Sequence, residues 1–320
     1  MLINPAVIKL IRDSNNIAIL SHIMPDGDNI GSSLALYNAL NKIGKNAAFI
    51  LEDDVPQIYK FLKGSEKVEK PQNNHKFELV IVLDCGDTGR LGKSERYLEG
   101  RKVVNIDHHL SNTNFGLYNL VDPNAAATSE IIYQLIKSLD IPLDKDISEC
   151  IYTGIVTDTG QFQYSNTTNF THQIAGDLIK QGVEPSKLYR DIYQNNSKAK
   201  MKLIGRAINS LEFYHQDKIA SMTLKKEVFE SIGAQDEDAD GIINFARDIN
   251  EVEVALFFKE AEDEKVKIGF RSKDYVNVNE IAQKFGGGGH KRAAGATVTG
   301  EIENIKEKVL EAAIEAFSVV

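Results

Sequence analysis

The sequence is poor in cysteine and has no long hydrophobic run. Cys85 and Cys150 are the two cysteines among 320 residues and form no motif, so we expect no disulfide framework. No apolar stretch approaches the roughly 18 residues that a transmembrane helix requires. Residues 1–16 reach Arg12 and Asp13 without a small-residue cleavage site, which is typical of an amphipathic helix and not of a signal peptide. We therefore expect a cytoplasmic protein without a membrane partner.

Basic charge is also scarce. The chain has 37 Lys and Arg against 46 Asp and Glu, which gives a formal net charge of −9. Proteins that hold long nucleic acid neutralise many phosphates and usually carry a basic excess, so long duplexes are not expected partners. Acidic groups gathered at one point can be neutralised by bound cations, and the net charge therefore does not exclude a small substrate that bears phosphate.

The order of the apolar segments predicts an α/β fold. In the first half, strand-like segments rich in Val and Ile alternate with helix-like segments, which favours a parallel sheet with helices on both faces. After the polar run at residues 194–197 the pattern changes to a hairpin, a helix, two strands and a final helix. We expect an N-terminal domain over residues 1–190, a helical linker over 191–210 and a smaller α/β domain over 211–320. The active-site cleft is expected between the two domains.

Acidic and imidazole side chains occur in four clusters. Each cluster alone has an ordinary structural explanation, such as a helix N-cap, a turn or a core histidine. Three of them directly follow strand-like segments, however, and the carboxyl ends of parallel strands meet at one edge of a sheet. A carboxylate behind an apolar strand is costly unless it is paired or bound to metal. The clusters contain His22, Asp26 and Asp28; Asp84; Asp107, His108 and His109; and Asp158.

Six of these residues form a possible ligand set for two divalent cations. Four carboxylates and two imidazoles suit manganese or magnesium better than they suit softer metals, and we expect manganese. Two ions about 3.5–4 Å apart can hold the attacking and leaving oxygens of phosphoryl transfer. The predicted metal ligands are His22, Asp26, Asp28, Asp84, His108 and Asp158.

A glycine run near the C-terminus is a candidate substrate-binding segment. It lacks the Gly-Lys-Ser/Thr of a P-loop, and a bare glycine run is often a hinge. This run lies between a helical segment and a strand, where glycines let the backbone approach an anion and the basic residues that follow can contact phosphate. The predicted substrate-binding residues are Arg271, Gly287, Gly288, Gly289, His290 and Arg292.

In their order along the chain, these motifs resemble those of the DHH phosphoesterase superfamily. They are His-x-x-Pro-Asp-Gly-Asp from His22, the strand-end Asp84, Asp-His-His from Asp107, and Thr-Asp-Thr-Gly around Asp158. The glycine run with His290 is similar to the Gly-Gly-Gly-Gly-His motif of the DHH-associated C-terminal domain. The resemblance covers essentially the whole chain. It implies metal-dependent hydrolysis of phosphate esters by an N-terminal parallel-sheet domain, with substrate held by the second domain.

The resemblance also implies roles for individual residues. Asp84 is expected to bridge the two ions and, with Asp107, His108 and His109, to form the catalytic set. His109 is expected at the scissile phosphate or behind a ligand, and Asp107 is expected to hold an imidazole in the required tautomer. The remaining ligands divide between the ions as His22 and Asp26 on one, and Asp28, His108 and Asp158 on the other.

Within the superfamily, a two-domain chain of this size resembles the oligoribonuclease and 3′-phosphoadenosine 5′-phosphate phosphatase group. The extra domains of RecJ-type exonucleases, the membrane segments of cyclic-dinucleotide enzymes and the Ser-Arg-Lys-Lys-Gln signature of family II pyrophosphatases are not found in this sequence. The expected substrates are short oligoribonucleotides and small nucleotides. Linear or cyclic dinucleotides are an alternative, and a non-catalytic RNA-binding protein is the alternative from another class. Homodimer formation and the direction of degradation stay open.

Overall fold

Two separate sheets organise the chain. The computed structural model describes residues 3–72 and 76–317, which divide into a first unit, Met1–Asn195, and a second unit, Asn196–Val320. The first unit contains a five-stranded sheet and the second a six-stranded sheet. This confirms the predicted α/β class, with a parallel N-terminal sheet and a smaller C-terminal unit. Within the described ranges, every helix is too short or too polar to cross a membrane.

The first sheet is entirely parallel, in the order β2-β1-β3-β4-β5. Its strands are β1 (Asn16–Ser21), β2 (Asn46–Ile50), β3 (Leu79–Leu83), β4 (Lys102–Asp107) and β5 (Tyr118–Val121). From β1 the chain runs to β2 on one side and then continues with β3 on the other side. In open α/β sheets, ligands bind beyond the carboxyl ends of the strands at such a switch point. The ends of β1 and β3 are therefore the place where a site is expected.

Helices cover one face of this sheet, and short 3₁₀ turns cover the other. The helices of the first unit are α1 (Pro5–Asp13), α2 (Gly27–Lys42), α3 (Thr128–Ser138), α4 (Lys145–Asp158), α5 (Asn169–Lys180) and α6 (Pro185–Tyr193). Ile17 and Ile19 of β1 pack on the helical side, whereas Ala18 and Leu20 share a second apolar cluster with residues of the 3₁₀ segment Thr88–Tyr97. The expectation of helices on both faces was thus wrong for one face, which is covered mainly by 3₁₀ turns.

Helices α2 and α4 cross so closely that only glycine fits at the crossing. A Cβ atom on Gly31 would lie 2.5 Å from the carbonyl oxygen of Cys150 and 2.7 Å from the backbone nitrogen of Gly154. The crossing brings Asp28 in the first turn of α2 close to Asp158, the last residue of α4. Two of the predicted metal ligands therefore owe their proximity to this helix pair.

The second unit has a mixed sheet with a buried core on each face. The sheet order is β10-β11-β9-β8-β7-β6, and only β7 and β8 pair in parallel. The strands are β6 (Glu212–Tyr214), β7 (Ile219–Leu224), β8 (Val254–Glu260), β9 (Lys265–Ser272), β10 (Gly288–His290) and β11 (Ala293–Thr299). The helices are α7 (Lys198–Asn209), α8 (Lys226–Ile232), α9 (Ile243–Arg247), α10 (Val278–Gln283) and α11 (Ile302–Phe317).

The segment expected to be a linker, residues 191–210, overlaps α7. Leu203 and Ala207 of this helix are fully buried in one cluster with Met222 of β7. Helix α7 is therefore part of the core of the second unit, and the two units divide after Asn195. The polar run at 194–197 marks the division, whereas the helix behind it is amphipathic and buries its apolar side.

Replacing Gly31 by Ala is expected to destabilise the first unit by about 1–3 kcal/mol, since a methyl group would force the α2 and α4 backbones apart. The matched control is Gly176→Ala in α5, where a Cβ would meet no atom within 4 Å. Ala at such an open helical position is expected to stabilise the protein by about 0.5–1 kcal/mol. Thermal and urea denaturation of both variants would test this. Equal or greater stability of Gly31→Ala would contradict the proposed close crossing.

Candidate metal centre

Asp84 is the residue that immediately follows β3, and its backbone φ is 53°. Asp enters the left-handed region more readily than most residues because its short polar side chain can bond locally. The backbone N–H of Asp84 donates to the carbonyl of Ile106 in β4 at 3.0 Å, and the residue is 2% exposed. Strained conformations of this kind persist where the surroundings enforce them, and they cluster at functional sites.

Three imidazoles face the Asp84 carboxylate. Its Oδ2 atom is 3.5 Å from His22 Nε2, and its Oδ1 atom is 3.7 Å from both His108 Nε2 and His109 Nδ1. His22 follows β1, whereas His108 and His109 follow β4, and these strands flank β3 on its two sides. Because all three strands end at the same edge, the parallel sheet itself assembles this part of the site.

Two helix termini supply the remaining carboxylates. Asp28 is 1% exposed, and it accepts the N–H groups of Thr128 at 2.6 Å and Ser129 at 2.9 Å at the start of α3. Asp158 ends α4 and lies 3.4 Å from His108 Nε2. A carboxylate at a helix C-terminus faces the negative end of the helix dipole, an arrangement that is unfavourable without a nearby cation.

The six predicted ligands, together with His109, form three overlapping groups that could hold metal ions. Within each group, one potential ligand atom from each residue lies within 4.8 Å of the others. All six predicted ligands are present, and Asp84 and His108 each belong to two groups. The groups are Asp84 with His108 and His109, Asp84 with His22 and Asp26, and Asp28 with His108 and Asp158.

Asp107 holds the loop that carries the two adjacent histidines. Its Oδ1 atom lies 2.7 Å from His109 Nδ1 and accepts the backbone N–H of His108 at 2.8 Å. Its Oδ2 atom accepts from the side-chain amide of Asn112 at 2.6 Å. A carboxylate at this distance keeps a proton on His109 Nδ1 and orients the ring. Asp107 therefore lies where it could hold His109 in one tautomer, the role that the sequence predicts for it.

Burial and mutual repulsion act against ionisation of three of the four acids. Burial, together with the charge of Asp84, raises the pKa of Asp28 from 3.8 to about 7. Burial and the charge of Asp28 raise the pKa of Asp158 well above 3.8. Burial and Asp84 also raise the pKa of Asp26. Bound cations would relieve this repulsion, so the donor set fits the metal ions that the sequence predicted.

In contrast, the surroundings of Asp84 and of the histidines favour their charged forms. Burial alone would raise the pKa of Asp84, but the contact with His22 and the charges of His108 and His109 hold it below 3.8. Burial alone would lower the pKa of His108, but the charges of Asp84 and Asp158 outweigh it and raise the pKa to about 9. The centre of the cluster therefore keeps one carboxylate ionised among partly protonated neighbours.

Sequence reasoning missed Thr128, a fully buried residue that contacts two of the predicted ligands. Its Oγ1 donates to Asp84 Oδ1 at 3.0 Å while its N–H donates to Asp28. A Thr-Ser pair at a helix start is a weak signal, since helix N-termini attract carboxylates. Nothing in the pattern, however, indicates that the partner is Asp28, which lies 100 residues away in the sequence.

The predicted substrate-binding residues of the second unit gather at one end of its sheet. Arg271, near the end of β9, pairs with Ala293 at the start of β11. Arg292 lies in the turn between β10 and β11, and its Nη1 atom donates to the carbonyl of Val276 at 3.1 Å. The side chain of His290 lies outside what the structure describes.

Two residues of the glycine run are required by strand packing alone. A Cβ on Gly287 would come within 2.1 Å of the carbonyl oxygen of Gly295, and one on Gly289 within 2.5 Å of the carbonyl oxygen of Ala293. At Gly288 the nearest atom would be 3.8 Å away. Gly287 and Gly289 are thus explained without a ligand, whereas Gly288 is not.

Comparison with known proteins identifies the family. Residues 16–155 match the DHH family N-terminal domain, and residues 197–318 match the DHHA1 domain. A protein from Thermus thermophilus, named bifunctional oligoribonuclease and PAP phosphatase NrnA, is 36% identical over 93% of this chain and 89% of its own length. The chain belongs to the DHH family. A Bacillus subtilis protein of the same name is 31% identical over 91% of this chain and 92% of its own length.

A solved structure shows the same fold over both units. An exopolyphosphatase-related protein from Bacteroides fragilis superimposes with a TM-score of 0.90 at 27% identity, covering 98% of this chain and 95% of that one. Family membership and this likeness confirm the predicted superfamily, fold and enzyme class. The DHH-family chain is a hydrolase of phosphate esters, and the comparisons do not favour a non-catalytic RNA-binding protein.

Thr128→Val is expected to weaken metal binding by about 10–100-fold, because Asp84 loses the hydroxyl that orients it. Thr128→Ser keeps the hydroxyl and the backbone N–H, and it should bind metal as the wild type does. Calorimetric titration of metal-free protein with Mn²⁺ gives the dissociation constants. Wild-type affinity in Thr128→Val would show that the hydroxyl does not position Asp84.

The metal-free protein is expected to lose stability as the pH rises from 6.5 to about 9. Folding raises the pKa of His108 from 6.5 to about 9 and that of Asp28 from 3.8 to about 7. The stabilisation that accompanies each raised pKa is complete below the unfolded-state value and is lost as the pH rises through the folded-state value. Melting temperatures in EDTA across this window should fall, while Mn²⁺-saturated protein should show a smaller fall. A melting temperature in EDTA that is constant or increases would contradict the assignment.

Proposed function

We propose that this chain hydrolyses short oligoribonucleotides to mononucleotides and 3′-phosphoadenosine 5′-phosphate (PAP) to AMP. The observation that carries the proposal is the cluster of carboxylates and imidazoles at the carboxyl ends of β1, β3 and β4, in which His22, Asp28 and Asp84 are buried. The fold alone would not specify a substrate, since one fold hosts many functions. The substrates are those in the names of two relatives that align over most of the chain.

Two divalent cations, manganese in preference to magnesium, are the proposed cofactors. Mixed carboxylate and imidazole donors support this choice of metal. When bound, such ions lower the pKa of coordinated water and neutralise phosphate oxygens. Asp84 is proposed to contribute to both sites because its Oδ2 atom faces His22 at 3.5 Å and its Oδ1 atom faces His108 at 3.7 Å. The other proposed ligands are His22 and Asp26 for one ion and Asp28, His108 and Asp158 for the other.

His109 is proposed to act on the scissile phosphate. Burial would lower the pKa of this ring, but its contact with Asp107 and the charge of Asp84 outweigh burial and raise the pKa. A protonated ring whose Nδ1 is held by Asp107 presents its Nε2–H as a donor to a phosphate oxygen or to the leaving oxygen. Asp107 is thereby proposed to position His109 and not to bind metal.

The second unit is proposed to bind the nucleotide beyond the scissile phosphate. Guanidinium groups bind phosphate through paired N–H donors, and two of them lie at one end of this sheet. At Gly288 the backbone has room for a close approach by a ligand. The proposed residues are Arg271, Gly287, Gly288, Gly289, His290 and Arg292.

A reducing compartment such as the cytoplasm is proposed for the protein. The thiols of Cys85 and Cys150 are both free and buried. Burial raises the pKa of Cys85 to about 12, which keeps this thiol protonated and unreactive. Free cysteines without disulfides are typical of reducing compartments.

Labelled RNA dinucleotides and PAP, incubated with Mn²⁺, with Mg²⁺ or with EDTA, test the proposed function. Mn²⁺-dependent release of mononucleotides and AMP is expected. Asp84→Asn should lower both rates by at least about 100-fold. Loss of a residue that only supports a metal ligand typically lowers activity by about 10–100-fold, and loss of a shared ligand should lower it more. The control is Asp87→Asn, an exposed acid three residues along whose side chain accepts the N–H of Gly89, a contact that Asn can keep.

Each alternative has its own outcome in the same assay. Faster hydrolysis of cyclic dinucleotides than of RNA dinucleotides and PAP would replace the proposed substrates. Binding of long RNA without any product would favour a non-catalytic protein. Full activity of Asp84→Asn would show that the cluster around Asp84 is not the active site.

A further inference from the structure

One basic side chain of the described residues contacts the candidate metal ligands. Within residues 3–72 and 76–317, Arg90 is the single Lys or Arg whose side chain contacts any of the six, with its Nη2 atom 3.0 Å from His22 Nδ1. The Arg90 carbonyl also accepts the backbone N–H of Ile23 at 2.8 Å. This backbone hydrogen bond fixes the Arg90 main chain beside His22. The contact therefore does not depend only on the conformation of a long side chain.

The contact between Arg90 and His22 does not satisfy the guanidinium. His22 Nδ1 also lies 2.7 Å from the carbonyl oxygen of Ile23, which can only accept, so Nδ1 carries the proton in that contact. This tautomer leaves a lone pair on Nε2, the atom that faces Asp84. In the tautomer that can bind metal, the Arg90 Nη2–H group therefore faces the Nδ1–H group of His22, and neither can accept a hydrogen bond from the other. If Nδ1 accepted from Arg90 instead, Nε2 would carry the proton and could not bind metal.

No carboxylate of the described residues forms an ion pair with Arg90, although several lie in the same cluster. Asp84 faces the imidazoles, and Asp26 accepts the backbone N–H of Asn29 at 3.0 Å as the N-cap of α2. Arg90 is half-buried, always charged and carries five N–H donors. Donors left without acceptors at such a position are unfavourable unless an anion supplies the acceptors.

We propose that Arg90 is a phosphate-binding residue of this centre, with its guanidinium contacting non-bridging oxygens of the substrate phosphate. The two nitrogens of His22 contact Arg90 and Asp84, so the guanidinium lies one imidazole ring away from the shared carboxylate. A phosphate group offers several acceptors and matches the planar fork of Arg. The assignment rests on the proposed function, since it names the group that holds the scissile phosphate on the His22 side.

The ligand class follows from the same geometry. A carboxylate ligand would offer the guanidinium fewer acceptor oxygens than a phosphate does. A phosphate is bound by both the cations proposed for the cluster and the guanidinium. An arginine that only braced His22 would be expected to have an acceptor on the ring, and the metal-binding tautomer provides none.

Phosphate binding to Mn²⁺-loaded protein, measured by calorimetry, tests the assignment without requiring turnover. Arg90→Gln should weaken binding of inorganic phosphate by about 10–100-fold, the effect expected for lost charge-assisted hydrogen bonds. Arg90→Lys should fall between Arg90→Gln and the wild type, because Lys keeps the charge and loses the fork. Mn²⁺ affinity and melting temperature should stay at wild-type values in both variants.

Lys93→Gln is the matched control. It removes one positive charge from the same 3₁₀ segment, where Lys93 is exposed and pairs with Glu52 at 3.1 Å. Its phosphate affinity should equal that of the wild type. Equal losses in Lys93→Gln and Arg90→Gln would overturn the assignment, because they would reflect net charge and not contact.

The remaining outcomes separate this assignment from the proposed function. Wild-type phosphate affinity in Arg90→Gln, or no phosphate binding by the wild type, overturns the assignment even if RNA and PAP are hydrolysed. A parallel loss of Mn²⁺ affinity or of melting temperature in Arg90→Gln also overturns it, since Arg90 would then have a structural role. Arg90-dependent phosphate binding without any hydrolysis supports the assignment and refutes the proposed function.

Discussion

The register of three parallel strands is the constraint on which the candidate metal centre depends. Ser21 of β1 pairs with Leu83 of β3, and Leu83 pairs with Ile106 of β4. The residues that follow these partners are His22, Asp84 and Asp107, so three distant segments deliver their polar side chains to one place. A shift of one residue would turn the apolar strand residues to the wrong faces. The core therefore enforces the register, and the register enforces the site.

This arrangement works against the stability of the fold. Asp28 is almost fully buried among other acids, and its compensation comes from two N–H groups at the start of α3. Those bonds satisfy the carboxylate oxygens without cancelling the charge, so repulsion from Asp84 persists. Natural proteins accept such conflicts between local rules and global stability at functional sites. The conflict is itself an argument that cations belong to this cluster.

The parts of the site that could be predicted are those that depend on short-range patterns. Apolar runs predict strands, and the carboxyl ends of parallel strands lie at one edge of the sheet. The position of Asp84 at that edge could therefore be predicted from the sequence alone. The proximity of Asp28 and Asp158 depends on the crossing of α2 and α4 at Gly31, and hydrophobic periodicity does not predict which helices cross. Thr128 and the hidden contacts of Arg90 could not be found because their partners are set by tertiary packing. The amphipathic helix α7 was assigned to a linker because the polar run before it dominated the local composition.

The hydrogen-bond partners of the three imidazoles support different proposed roles for them. His22 Nδ1 lies 2.7 Å from the carbonyl of Ile23, and His108 Nδ1 lies 3.3 Å from the carbonyl of Ala125. A neutral carbonyl at Nδ1 directs Nε2 toward the carboxylates, where a cation can replace the proton that the raised pKa of His108 favours in the metal-free protein. His109 instead faces the carboxylate of Asp107, an anion that stabilises the imidazolium. These contacts support the proposal that His22 and His108 bind cations and that His109 donates a proton, although all three rings surround the same Asp84.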